Sequence, residues 1–226
     1  MKKILSVCLV LVMMLSLFSI TASAEEVVWS GYSDAEINDL YYSFYDDEAY
    51  VVGYEADIEN PKPAGAITIP KTVTYRGDKY NVVGIETEAF YKSLFTSITL
   101  PDTIKYIGDY AFSTCDYLEN VIIPNSCYFD YFGYSVFSTT PFEAEIYSKD
   151  EAIFGQNVLY SYIGNADKYV IPDEISILSN NCFFMSGVKS VVINDNIKTI
   201  ELLVSFEKPS HFLIKYKVIK VSKDNY

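Results

Sequence analysis

Apolar and polar residues alternate in short runs that recur along the chain, and four of these runs end in proline. They are Ile67-Thr68-Ile69-Pro70, Ile98-Thr99-Leu100-Pro101, Val121-Ile122-Ile123-Pro124 and Tyr169-Val170-Ile171-Pro172. A fifth, Val191-Val192-Ile193-Asn194, keeps the apolar run without the proline. The prolines stand 31, 23 and 48 residues apart and Asn194 follows Pro172 by 22, so the long gap is close to two of the shorter periods. Each β-branched triplet suits a short strand. The following proline has no N–H to donate, so a hydrogen-bond ladder should stop there.

A second anchor recurs in step with the first. Ile85-Glu86-Thr87-Glu88-Ala89-Phe90, Ile107-Gly108-Asp109-Tyr110-Ala111-Phe112, Phe132-Gly133-Tyr134-Ser135-Val136-Phe137 and Leu178-Ser179-Asn180-Asn181-Cys182-Phe183 share one layout. In each, a large apolar residue stands five places before a phenylalanine that follows a small or modest residue. One strand per coil, stacked on its neighbours, predicts a parallel sheet along one side of a repeat array. The Ala-Phe segments then form the opposite side, with Phe90, Phe112, Phe137 and Phe183 filling the space between layers. No single coil buries both flat faces, so stability has to come from neighbour on neighbour, with specialised ends.

A unit of about 23 residues lies in the ~20 to 29 range of leucine-rich repeats. The stretch from Ile98 to Leu118, with Pro101, Ile104, Ile107, Gly108, Ala111, Phe112 and Cys115, resembles the BspA-type leucine-rich repeat of bacterial surface proteins. The resemblance implies a β-rich repeat solenoid with one short parallel strand per coil and short helical or irregular returns, over residues 67–207. Thr74 to Val82 resembles the hairpin that the family inserts in its first unit, and Glu48 to Tyr54 the strand that caps the open end. Residues 25–66 are therefore expected to form an N-terminal segment and β cap. The repeats are interrupted around 139–168, where Val158-Leu159-Tyr160 resembles an inserted strand pair. Beyond Ile200 the pattern stops mid-unit. Residues 208–226 then carry five lysines and one acid, a basic tail to which no role is assigned.

Compartment follows from the first residues. Lys2 and Lys3, an apolar run from Ile4 to Ile20 and the small residues Ala22-Ser23-Ala24 predict a signal peptide over 1–24. The run is shorter than the roughly 20 apolar residues that span a bilayer comfortably, and no later stretch suits a membrane span. The chain is thus expected to be secreted, extracellular or at the cell surface. Its formal charge of -13 repels phosphate backbones and argues against nucleic acid as a partner. Three cysteines, Cys115, Cys127 and Cys182, remain after cleavage. An odd count without CxxC spacing favours small buried side chains, with a Cys115–Cys127 pair or an intermolecular bridge as alternatives.

Catalytic and cofactor motifs are missing from the sequence: His211 is the sole histidine, and there is no phosphate-binding Gly-rich loop, HExxH or Cys/His cluster. No catalytic, cofactor or metal residues are assigned. The densest acids, Asp46-Asp47-Glu48, read as a solvated turn between strands, and a carboxylate-dependent glycan hydrolase ranks last because nothing fixes a second carboxylate opposite them. With 21 tyrosines and 14 phenylalanines, aromatic area is the remaining peculiarity. Tyrosine is enriched in binding surfaces, although Tyr41, Tyr42, Tyr45 and Tyr50 also suit strands. In each repeat strand the residue two before the proline position should face outward, which makes Thr68, Thr99, Ile122, Val170 and Val192 the expected partner-binding face. The family resemblance implies a non-catalytic adhesion or interaction protein with an extracellular protein or glycan as partner. A structural or accessory part of a cell-envelope complex is the alternative.

Overall fold

The computed structural model describes residues 33–54, 65–197 and 199–200. The expected signal peptide, the basic tail and His211 lie outside the described residues. Sixteen strands and one helix occur among those described.

The N-terminal cap is a meander. β1 (Ala35–Ile37), β2 (Leu40–Tyr45) and β3 (Glu48–Tyr54) pair antiparallel in sequence order. Asn38 and Asp39 both sit at positive φ between β1 and β2, the backbone of a tight hairpin turn whose twist matches the strands. One face of the meander puts Leu40, Tyr42, Ala49 and Val51 into the core. β3 then runs parallel to β6 (Asp78–Ile85), the second strand of a hairpin that begins with β5 (Thr72–Tyr75). Arg76 and Gly77, again at positive φ, close that hairpin.

The repeats stack by parallel pairing. β4 (Ala66–Thr68), β7 (Ser97–Thr99) and β9 (Asn120–Ile122) form one ladder, and β13 (Lys168–Val170) pairs with β15 (Ser190–Val192) in another. The last ladder N–H in each case belongs to the residue before the proline: Ile69 donates to Thr99, Leu100 to Ile122 and Ile171 to Val192. Proline then ends the pairing, as its missing N–H requires.

Each coil carries two short parallel strands, where the repeat pattern predicts one. The apolar anchor, expected in an irregular return, also pairs, so β6, β8 (Tyr106–Ile107) and β10 (Tyr131–Phe132) form a second ladder. It is continued, after a break, by β12 (Val158–Tyr162), β14 (Ile177–Leu178) and β16 (Thr199–Ile200). Stacked extended dipeptides satisfy their own backbone groups only by bonding to the next layer, so a two-residue strand is stable in a pile although not alone.

The returns stack too. Glu88, Tyr110, Ser135 and Asn181, each just before the small residue, have φ between 49° and 59°. Lys92, Thr114, Thr139 and Met185, two places after each phenylalanine, have φ between 59° and 63°. Left-handed backbone costs a non-glycine residue about 1–2 kcal/mol. The offset comes from aimed hydrogen bonds: Glu88, Phe90 and Lys92 donate N–H to the carbonyls of Asp109, Ala111 and Ser113 in the next coil, and Tyr110, Phe112 and Thr114 repeat this one layer on.

Packing follows the repeat. Ile98, Leu100, Ile104, Ile107, Ala111, Phe112, Cys115 and Leu118 are all buried. The rings of Phe90, Phe112 and Phe137 form a column, 5.2 and 5.3 Å apart and within 11° of parallel. Phe183 is not in that column. It is only partly buried and packs with Tyr162 and Tyr169 beside a second, smaller cluster of Leu159, Ile171, Ile175, Leu178 and Cys182.

What separates the two clusters is the interruption. After the third coil, Thr140 caps α1 (Pro141–Ile146) by accepting the Glu143 N–H. A hairpin of β11 (Glu151–Phe154) and β12 follows, and Phe154 and Tyr160 pack against Phe137 where the next repeat phenylalanine would otherwise lie. The donor edge of the third coil is met by side chains. Asn180 accepts the Ser135 N–H, and the Glu143 carboxylate accepts both the Thr139 N–H and the Tyr160 O–H. Fully buried Asn157 bridges the break between the ladders, accepting from Phe129 N–H and donating to Phe129 C=O and Ser176 Oγ.

Cys115, Cys127 and Cys182 are free and buried, which removes the Cys115–Cys127 pairing. The Cys115 thiol donates to the Phe90 carbonyl at 2.9 Å, and that of Cys127 to the Pro101 carbonyl at 3.6 Å, one layer back in each case.

Candidate functional site: two outward faces of the repeat array

The face expected from the sequence is built by strand alternation. In β4, β7 and β13 the middle residue points in while the residues on either side point out, so Thr68 and Val170 are exposed and Thr99 half-exposed. Ile122 is 58% exposed and Val192 39%. Cross-strand register aligns Thr68 with Thr99 and Thr99 with Ile122, and separately aligns Val170 with Val192. The five residues therefore make two rows on two sheets. A parallel row, Ala66, Ser97 and Asn120, lies beside the first. Exposed ion pairs stand just past this ladder, Lys71–Asp102 at 2.7 Å, and just before the second, Lys189–Asp167 at 2.6 Å. Such pairs are worth little in energy but keep the borders of the faces charged.

The second ladder carries a face that the repeat pattern did not single out. Tyr106 and Tyr131, aligned in adjacent strands, stack at 5.0 Å and 18°. Tyr50, from the cap, meets Tyr106 edge-on at 6.3 Å, and Tyr45 meets Tyr50 at 5.6 Å. Gly84 makes this column continuous: a Cβ there would lie 2.2 Å from the Tyr50 ring, so only glycine leaves room. Carboxylates flank the rings. Tyr50 donates its hydroxyl to Glu48 at 3.0 Å and Tyr131 donates to Asp109 at 2.6 Å; Asp109 also accepts the Tyr134 N–H. Partial burial, then Glu48, push the Tyr50 hydroxyl up to about 12. Burial followed by Glu86 raises Tyr106, and burial raises the Glu86 carboxyl itself. Lys105 reaches Glu48 only at 4.0 Å. Of the four tyrosines, Tyr45 and Tyr50 stood open in the sequence between binding surface and strand, whereas Tyr106 and Tyr131, in separate repeats, gave no signal.

The acids considered for hydrolysis sit apart from any enclosed site. Asp46 and Asp47 form the exposed turn between β2 and β3, Asp46 at positive φ and Asp47 accepting the Asn81 N–H through its carbonyl. Among the described residues no three His, Cys, Asp or Glu side chains are grouped to hold a metal ion. A shallow recess lined by Tyr128, Gln156, Asp173, Glu174, Ser176 and Asn196 opens beside the interruption. No described helix is long and apolar enough to cross a membrane.

The family model for the BspA type leucine rich repeat region matches residues 83–208, in six copies. Among solved structures, the chain is similar to a leucine-rich repeat protein from Bacteroides ovatus, at 21% identity and a TM-score of 0.44 over 73% of this chain and 42% of that one. It is similar to a leucine rich cell surface protein from Faecalibacterium prausnitzii at 18% identity and a TM-score of 0.45, over 71% and 54% of the two chains. A leucine-rich repeat protein of T. pallidum gives 18% identity and a TM-score of 0.44, over 70% of each. This chain thus spans about half or less of the length of the first two. No curated protein matches it.

Proposed function

This chain belongs to the BspA-type leucine-rich-repeat family, and from that premise we propose that it is a secreted or cell-surface binding protein, non-catalytic, that mediates adhesion through an extracellular protein or glycan. In this reading residues 1–24 direct export, 25–66 cap the array, and 67–207 wind as a solenoid whose open strand face takes the partner. The observation that carries it is the outward row of Thr68, Thr99 and Ile122, held in register across three strands and flanked by small residues. Aligned, rigid and unencumbered side chains suit recognition because little entropy is lost on binding. Val170 and Val192 extend the same role to the second sheet, where exposed β-branched residues offer apolar contact.

The test is attachment. Full chain immobilised on beads is offered host-matrix and cell-wall fractions, and retained partners are compared with those of a Thr99→Lys, Ile122→Lys double variant whose fold is checked by circular dichroism. Loss of the partner in the variant supports the face. Unchanged retention rules the row out as the contact surface.

A further inference from the structure

The tyrosine column has a chemistry of its own, independent of the strand face above. Two of its phenol protons are committed to carboxylates, Tyr50 to Glu48 and Tyr131 to Asp109. The Tyr50 and Tyr131 phenol oxygens and the carboxylates beside them accordingly present lone pairs that accept from donors. Lysine and arginine side chains are donors only, and their alkyl stems can lie along ring edges while their charged heads reach the phenol and carboxylate oxygens. A neutral glycan fits less well: sugar rings stack on open aromatic faces, and Tyr106 and Tyr131 already cover each other at 5.0 Å. Neutral sugar hydroxyls would also bring no charge to balance the carboxylates.

Charge points the same way. The chain is strongly acidic overall, and Lys105 lies at the outer limit of pairing with Glu48. Glu86 is half-buried, close to Tyr50 and Tyr106, and accepts from the Thr87 backbone without an ion pair to any described lysine or arginine. An incoming cation would relieve that desolvated charge. The column crosses from the cap into three successive layers, so it presents a line of contacts suited to an extended segment and not to a single ion.

We propose that the column from Tyr45 to Tyr131, with Glu48 and Glu86 beside it, is a docking surface for a lysine- or arginine-rich segment of another protein. This goes beyond the strand-face reading and does not depend on it.

Fluorescent decalysine titrated into the full chain and followed by anisotropy tests the proposal. An acidic protein attracts polycations everywhere, so location is the decisive readout. Glu48→Gln with Glu86→Gln should weaken binding about fivefold, and Tyr106→Leu about threefold with the circular dichroism spectrum retained. Removing two charges elsewhere, Asp173→Asn with Glu174→Gln, should change it by less than about twofold. Equal weakening by both charge-removing pairs would reduce the effect to net charge and overturn the proposal. So would absence of decalysine binding, or Tyr106-dependent binding of a neutral N-acetylglucosamine hexamer in its place.

Discussion

Replacing Phe112 by alanine removes the middle ring of the column that joins the first three coils. The side chain is fully buried, between Phe90 on one side and Phe137 on the other, with the Phe95 ring perpendicular to it at a centroid distance of 6.5 Å. Truncating a buried phenylalanine costs about 3–5 kcal/mol in lost transfer energy and residual cavity. Two stacked ring pairs are lost as well, each worth ~0.5–1.5 kcal/mol beyond area burial, so the variant belongs at the top of that range, about 5 kcal/mol. Because a repeat array is held by nearest-neighbour terms, the same change weakens the coupling between the coils above and below. Urea unfolding followed by far-ultraviolet circular dichroism and by tyrosine fluorescence should give a lower midpoint and, for this variant, transitions that no longer coincide. Phe183→Ala is the internal comparison: half-buried and outside the column, it should cost about 1–2 kcal/mol. If the two variants are equally destabilised, or Phe183→Ala is the worse, the phenylalanine column is not what couples the layers.

Gly108→Ala should destabilise by about 1–3 kcal/mol, because its Cβ would meet the preceding coil's backbone, 2.3 Å from Thr87 N, and backbone cannot step aside cheaply; a thermal midpoint equal to wild type would show that the layers are not in such close approach. Burial pushes the Cys115 and Cys182 thiols up to about 12, so little thiolate exists near pH 8; mass-mapped alkylation should leave both unlabelled in the native chain and label them quickly in urea, while rapid native labelling would contradict the buried placement. Burial also raises the Glu143 carboxyl above its ordinary 4.5, against the pull of the Tyr160 O–H and Thr139 N–H. The folded chain then holds that proton more tightly than the unfolded chain, so this group's contribution is full below the unfolded value and is lost as pH rises through the folded one. Urea midpoints of Glu143→Gln should accordingly depend less on pH than wild type just above 4.5, and an unchanged slope would mean the carboxylate is well solvated.

Much of the fold was legible because repeats state their core many times over. Ile98 to Leu118 contains one complete unit, and the apolar positions picked from it by recurrence are buried. Inward and outward alternation in the proline-terminated strands could likewise be read from three residues, since a pleat has period two. Family membership follows from the same positions. The second ladder was not legible: Tyr106-Ile107 and Tyr131-Phe132 are two-residue strands, too short for any period to show, and they become strands only by lying on one another. Nor was the displacement of Phe183, whose segment keeps the same layout of a large apolar residue five places before the ring. It follows from what precedes it in the pile, where Phe154 and Tyr160 already fill the space beneath Phe137.

Local sequence thus determined which residues face inward, where each strand must stop and that neighbouring coils must support one another. Those properties depend on side-chain hydrophobicity, on the pleat and on the missing proline N–H, all of which act within a few residues. Tertiary structure alone decided the left-handed turns at Glu88, Tyr110 and Ser135, none of them glycine, which are held because the next coil offers carbonyls to Glu88 and Tyr110, and the Asn180 side chain an oxygen to Ser135, at the right height. It also decided the tyrosine column and its acids. These residues are distant in sequence and come together because the cap and successive layers share one register.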